Sequence, residues 1–503
     1  MSSHATRPYP ISTSARKLKT ASFWFAVVGI GCLLLADINI SRPDPWHELS
    51  LMGQGLMNPH IHSWPETLAS IATTLSFALQ GIVLAAVSGF ILSLGYRWLP
   101  VRSLCAFIRS IHELFWALLF IQIVGLSTLT GLLAIAIPYA GTLAKIYGEL
   151  FEETNPAPIN NLAPASSLSK FFYTTLPLAW QPLVAYTRYR FECSIRSSVV
   201  LGFIGFPTLG FHLESALSDG HYNEAAALLY ILFFVVLSFQ IWLRARLLPI
   251  YLIASIWYLP PHAATSWETA MRFLTQDIVP APLRGSWTDS TLNDLSGWFD
   301  YLWQNQLWPG LIDTLVLSQI AVVATGLITL ICFPLNSTLF FSPIARRLGD
   351  SILIFSRSTP EYLLAFIGLL LLGPSMLPAV IALAIHNGAI IAHLVGRYSD
   401  QLVLRVDTNQ GLDRYFYDVL PRVYRQFLAF LFYRWEVILR ETAILGILGI
   451  TTLGFYIDSA FEEFRFDRAA VLILASAILN MSVDYCARTL RRRMHLKTTP
   501  ETV

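Results

Sequence analysis

The sequence predicts an all-α polytopic membrane protein of about twelve transmembrane helices, arranged as two six-helix repeats of like orientation. Three observations carry this: an apolar, charge-poor composition, basic residues at every second junction between apolar runs, and a long block that occurs twice. Of 503 residues, 55% are hydrophobic and 13% charged, and the mean hydropathy is +0.56. A soluble core of this length needs far less apolar surface. The net charge of +2 argues against a nucleic-acid partner, since phosphate recognition needs a concentrated basic surface. The five cysteines lie in apolar runs without CxxC spacing and read as reduced packing residues.

A helix crosses the hydrocarbon with roughly 20 mostly apolar residues. In the first half the segments that qualify are Ser22 to Ile38, Ile71 to Leu94, Leu104 to Val124, Leu129 to Leu150, Pro182 to Phe203 and Ala225 to Leu243. The second half repeats the order with Leu247 to Leu259, Leu311 to Phe333, Ser351 to Leu372, Pro378 to Val395, Phe427 to Ile447 and Ala469 to Cys486. The first run follows Arg16, Lys17 and Lys19 and has no small-x-small site after it, so it reads as a retained anchor. Basic residues cluster at Arg97 and Arg102, Arg244 and Arg246, Arg346 and Arg347, Arg405 and Arg414, and Arg488 to Arg493. All of these fall on one side of the count, which predicts cytoplasmic termini. The opposite loops, Asn39 to Glu66 and Pro260 to Trp308, are rich in Trp and Pro and poor in basic residues.

Phe171 to Ala226 aligns without gaps on Tyr415 to Ala470, with Glu192 matched to Glu436 at an offset of 244. Upstream, Arg109 to Glu113 matches Arg357 to Glu361 at an offset of 248. The division predicted is residues 1–246, an anchor helix with a five-helix core, and 247–503, an anchor helix, a long outer loop and a second core. An even number of spans per repeat gives both copies one orientation and places a pathway between them. No Gly-Lys pair occurs, so there is no P-loop, and HExxH and GxSxG are absent too. The chain is therefore read as a non-enzyme with no catalytic residue, metal or cofactor of its own. His60 and His62 are loop polar residues rather than ligands.

At the block YRxExxxRxxxxLGxxGxxxLGF the sequence resembles the permeases of phosphonate-type ABC importers. The first copy comprises Tyr189, Arg190, Glu192, Arg196, Leu201, Gly202, Gly205, Leu209, Gly210 and Phe211. The second comprises Tyr433, Arg434, Glu436, Arg440, Leu445, Gly446, Gly449, Leu453, Gly454 and Phe455. The resemblance implies the type I importer permease fold in the bacterial inner membrane, with uptake of a phosphonate or related phosphorus oxyanion by alternating access. It also implies cytoplasmic ABC ATPase subunits, two of them, and a periplasmic or lipid-anchored binding protein, with membrane lipid around the chain. The family's cytoplasmic loop reads EAA, three residues, Gly, nine residues and I-x-LP. Here Leu176-Pro177 and Leu420-Pro421 keep its end, Pro164 and Thr408 stand at the glycine positions, and Gly411 is displaced. Pro164, Leu176, Pro177, Gly411, Leu420 and Pro421 are accordingly the candidate ATPase-coupling residues.

Glu192 and Arg196, like Glu436 and Arg440, are four apart with the acid on the N-terminal side, the better order for a helical ion pair. Arg196 lies roughly 22 Å along its span at 1.5 Å per residue, which is membrane depth. Ionisable groups there line a pathway or lock helices together, and either use fits the spacing. Gly202, Gly205 and Gly210, with Gly446, Gly449 and Gly454, permit close helix packing or a broken helix end. Glu113 and Glu361 stand beside His112 and Pro360, where helix capping is the default role. An ion-coupled secondary transporter, or an ABC permease for another small solute, remains as an alternative.

Overall fold

The computed structural model describes residues 13–154, 166–260, 266–285, 287–404, 411–494 and 496. Among them every regular element is helical. The first half runs α1 (Thr13–Leu33), α2 (Pro45–Met57), α3 (Trp64–Leu94), α4 (Leu99–Ser110), α5 (Glu113–Val124), α6 (Thr128–Glu153), α7 (Leu176–Val200), α8 (Leu209–Ser218) and α9 (Tyr222–Leu237). The second comprises α10 (Leu248–Trp257), α11 (Thr291–Leu302), α12 (Trp308–Cys332), α13 (Pro343–Ser358), α14 (Glu361–Leu372), α15 (Met376–Ser399), α16 (Leu420–Leu445), α17 (Leu453–Glu462) and α18 (Phe466–Arg493).

Corresponding helices share local chemistry near their starts. α3 opens on Trp64-Pro65, with proline in the first turn, where its missing N–H costs no hydrogen bond, whereas the matching Trp308-Pro309 follows the π-helical turn Trp303–Leu307 inside the continuous helical stretch Thr291–Asn336. Ser127 caps α6 by accepting from Thr130 N, and Ser375 caps α15 by accepting from Leu377 N. Gly125 and Gly373 precede these caps at φ 74° and 87°, a turn that a side chain would strain.

Among the described residues, five helical stretches are long and apolar enough to cross a membrane, and four bent pairs raise the number to nine. Three shorter apolar helices, Leu18–Leu33, Tyr222–Leu237 and Leu248–Trp257, accompany them. These lengths do not fix the predicted count of twelve, which needs each bent pair to count once and each short helix to cross.

Two predicted spans are not single helices. Leu104 to Val124 is divided between α4 and α5, which meet at 91°, and Ser351 to Leu372 between α13 and α14, which meet at 89°. At the second knee Pro360 forces Thr359 out of the helical region, to φ −70° and ψ 126°. The first knee has no proline, and His112 caps α5 instead, its Nδ1 accepting from Leu114 N at 3.2 Å.

The described residues form two compact units that do not follow chain order. One contains residues 42–310 and 453–481, the other residues 1–41, 311–452 and 482–503. In the first, α10 lies along α3: Gln80 Nε2 donates to Leu252 O at 2.9 Å and to Ser255 Oγ at 2.7 Å. The same unit straps the stretch from Ala281 to Trp298 to α18 through the buried Asp467 carboxylate, which accepts from Ala281 N and Trp298 Nε1, each at 3.2 Å. In the second, α1 lies along α12 and α16. Gln319 Nε2 donates to Phe25 O at 3.1 Å, and the Phe25 ring meets Phe432 and Trp435 edge-on at 5.3 and 4.9 Å. Each core is thus covered by the anchor helix that the other half of the sequence supplies.

Candidate functional site

Each knee gathers polar side chains from three helices into an otherwise apolar interior. In the first, Glu113 opens α5 and its Oε1 accepts from Ser197 Oγ of α7 at 2.7 Å. Ser197 Oγ also lies 3.0 Å from the Tyr139 hydroxyl of α6. The Arg190 guanidinium, about two turns before Ser197 on α7, stands 6.0 Å from the centre of the Tyr139 ring. Its Nε and Nη2 donate to the Tyr186 hydroxyl at 2.9 and 2.7 Å.

The second knee repeats the plan with different side chains. Glu361 opens α14, with Oε2 3.5 Å from His386 Nε2 of α15, and the other ring nitrogen of His386 lies 2.9 Å from Thr359 O. A carbonyl oxygen only accepts, so that Nδ1 carries a proton. Glu441 Oε2 of α16 accepts from Asn387 Nδ2 at 2.9 Å, and Arg434 Nη1 donates to Asn387 Oδ1 at 3.2 Å. His386, Asn387 and Glu441 are all buried.

The repeat offsets make these clusters counterparts. At 244, Arg434 corresponds to Arg190 and Glu441 to Ser197; at 248, Glu361 corresponds to Glu113 and Asn387 to Tyr139. A carboxylate in the second repeat therefore takes the place of a hydroxyl in the first. Polar groups in an apolar interior persist when hydrogen-bonded, and Glu113 and Glu441 each accept such a bond in their clusters. Glu113 and Glu361 do occupy the first turn of their helices, as expected, yet they also tie that turn to neighbouring helices.

The predicted pathway residues lie beside these clusters on the same helices. Glu192 and Arg196 are half-buried on α7, with Arg196 Nη2 3.5 Å from Cys193 Sγ. Glu436 and Arg440 hold the matching places on α16, also half-buried, and Arg440 immediately precedes the buried Glu441. Sequence reading quoted Arg190 and Arg434 within the repeated block without a role, and missed Tyr139, Ser197, His386, Asn387 and Glu441. The available signal was Glu441 itself, a second acid in an apolar stretch where the first repeat has serine.

Past these residues both helices break in the same way. The Gly205 N–H donates to Gly202 O and Phe206 N–H to Leu201 O, while Gly449 N–H donates to Gly446 O and Ile450 N–H to Leu445 O. Gly205 and Gly449 sit in the left-handed region at φ 94° and 83°, which ends the helix at low cost only for glycine. The chain turns by 52° from α7 into α8. Close approach follows: a Cβ on Gly210 would overlap the Val199 carbonyl oxygen, and one on Gly202 the backbone N of Phe211. Gly446 and Gly454 are buried at the equivalent positions. The break is thus a broken helix end and a close packing at once. Pro207 in one copy and Thr451 in the other leave the hydrogen-bond pattern unchanged.

Of the candidate coupling residues, Pro164 lies outside the described residues, as do 155–165 and 405–410. Leu176-Pro177 and Leu420-Pro421 open α7 and α16, but as continuations of a helical segment rather than at a free helix start. Each follows a π-helical turn, Phe171–Thr175 and Arg414–Val419, in which Leu176 N donates to Phe171 O and Leu420 N to Tyr415 O. A proline cannot supply the next N–H, so the wider turn accommodates it. Gly411, at φ 73°, sits exposed before the second of these turns.

A duplicated, all-helical membrane permease is the class that these elements define, and comparison with known proteins gives the family. No family model matches the chain. It is 22% identical over 419 residues to the phosphate-import permease protein of Mycolicibacterium smegmatis, covering 78% of this chain and 77% of that one. The phosphite transport system permease protein of Stutzerimonas stutzeri is 24% identical over 233 residues, 44% of this chain and 85% of the relative. The putative cryptic phosphonate transport system permease protein of Escherichia coli K12 is 31% identical over 118 residues, 23% of this chain and 96% of the relative. The chain belongs to the phosphonate-type family of ABC permeases. A solved structure titled as an amino acid ABC transporter with histidines aligns over 41% of this chain and 100% of its own, at 21% identity and a TM-score of 0.32. That likeness is too low to add to the fold.

Proposed function

We propose that the chain is the membrane permease of an ATP-driven importer for a small phosphorus oxyanion, built from the repeats 1–246 and 247–503. What supports the solute is that relatives named for phosphate, phosphite and phosphonate share one chemistry, a tetrahedral phosphorus bearing ionised oxygens. A separate pair of ATPase subunits on the cytoplasmic side, where both termini lie, drives the cycle through the segments around 155–177 and 407–421. A binding protein outside the membrane delivers the solute and supplies most of the selectivity. Along the route Arg196 and Arg440 attract the oxyanion, and Glu192 and Glu436 keep it from binding too tightly to leave. The knees hold α5 and α14 against the route's walls while it changes access.

Uptake into proteoliposomes tests this. With the ATPase and binding protein present, phosphate, phosphite or methylphosphonate enters only when ATP is supplied. Uptake by this chain alone on an ion gradient overturns the reading and favours a secondary transporter. Equal uptake of sulfate removes the solute assignment and leaves the permease.

A further inference from the structure

The two anchor helices differ in length, and the difference leaves a hole. α1 has 21 residues and α10 has 10, which at 1.5 Å per residue is roughly 31 Å against 15 Å. On the second core the anchor's Phe25 packs on Phe432, Gly29 fits against Val323, and the Tyr424 hydroxyl donates to Ser22 Oγ at 2.7 Å. The positions matching Tyr424, Phe432 and Val323 on the first core are Trp180, Arg188 and Leu79. All three line a groove of about 550 Å³ between α3, α7 and the start of α10. The groove follows α3 from Leu79 to Ile91, roughly 18 Å. That is close to the length by which α10 falls short.

Its walls are almost wholly apolar, from residues such as Ile82, Ala86 and Val184. Tyr147 and Thr187 satisfy each other, their hydroxyls 2.6 Å apart. Two guanidiniums also line the groove, those of Arg188 and Arg244. Arg188 Nη2 donates to Leu243 O at 2.9 Å and Arg244 Nε to Ile241 O at 3.3 Å, each using one of its five N–H groups.

We propose that one anionic phospholipid occupies this groove and substitutes for the missing half of the anchor helix. Its acyl chain lies along α3 and its phosphate is held by Arg188 and Arg244. At about 30 Å³ for each methylene-sized group, the volume suits one chain of ordinary length. The span also matches about one leaflet of a hydrocarbon core roughly 30 Å thick. A bare oxyanion finds the two arginines but loses its water against hydrocarbon walls, and an uncharged apolar segment leaves both arginines facing hydrocarbon. Only a chain with a phosphate at its end answers both walls and charges. Arg244 and Arg246 mark this end as cytoplasmic by charge placement, and that leaflet holds the anionic lipids.

The test is phospholipid retention by the purified chain, read by mass spectrometry after exchange with mixed phosphatidylglycerol and phosphatidylcholine. We expect phosphatidylglycerol to be retained over phosphatidylcholine by roughly tenfold or more, from two basic contacts. Arg188→Gln with Arg244→Gln should abolish the preference. Ala86→Trp, which fills the groove and keeps both arginines, should abolish retention of either lipid. Arg188→Phe, carrying the second core's residue, checks that loss of retention is not loss of fold, since it should elute as a single species. Equal retention of both lipids, an unchanged preference in the double variant, or displacement by millimolar inorganic phosphate overturns the proposal. None of these readouts involves transport, so failure here leaves the permease reading untouched.

Discussion

The two knees share a backbone and differ in what fills them. Both bend by about a right angle, both place a glutamate at the first position of the following helix, and both bring an arginine from the same turn of the long helix behind it. In the first, a serine and a tyrosine complete the cluster with hydroxyls, which rotate to suit either a donor or an acceptor. In the second, Glu441, Asn387 and His386 complete it with fixed groups. The lesson is that duplication conserved the bend, while the polar filling diverged from an adaptable set to a charged one. The charged set has more to lose when a member is removed, because a partner left buried keeps its desolvation penalty.

Removing one member from each knee is the sharpest way to break the comparison. Glu441→Ala should destabilise by about 3 kcal/mol or more, since the buried Asn387 loses its bond to a carboxylate. Ser197→Ala should lose only about 1.5–3 kcal/mol, the range for a hydrogen bond to a charged group. Thermal unfolding followed by size-exclusion chromatography in detergent reads both, and equal losses contradict the asymmetry. The glycine breaks provide a control in which the repeats should agree. Gly205→Ala and Gly449→Ala should each cost about 1–2 kcal/mol, because both force a Cβ into the left-handed region. A difference larger than their errors means that the breaks are not equivalent. Smallest in stability, at about 0.5 kcal/mol or less, should be Arg196→Gln. ATP-dependent uptake should nonetheless fall roughly tenfold, and unchanged uptake with normal abundance removes Arg196 from the route.

Spans were legible because hydropathy averages over a whole helix, and the predicted segments coincide with the helical stretches to within a few residues at most ends. Knees were not legible for the same reason: averaging across Ile111 and His112, neither of which is a helix breaker by type, produces one span. Pro360 was a visible signal in the second copy, and carrying it across the offset to His112 would have located both bends. The clusters depend on contacts between residues from 27 positions apart, His386 with Thr359, to 84 apart, Ser197 with Glu113, and no local pattern encodes those. What the offset could have shown was the mismatch itself, Ser197 against Glu441. The glycines, by contrast, stand out in the sequence itself, and two separate constraints act on them: Gly205 and Gly449 take φ above zero, while Gly210 lies against the Val199 carbonyl.

The exchanged anchors carry a consequence for biogenesis. α1 leaves the ribosome ahead of its partners, for its hydrogen-bond donor Gln319 follows 294 residues later and Tyr424 402 residues later. At roughly 5–20 residues per second, the helix waits on the order of 15–60 seconds for the first of these. During that interval its exposed Phe and Trp side chains have only lipid or an insertion factor for company. A nascent chain arrested before residue 311 should therefore show α1 crosslinking to the insertion machinery, and one released after Tyr424 should not.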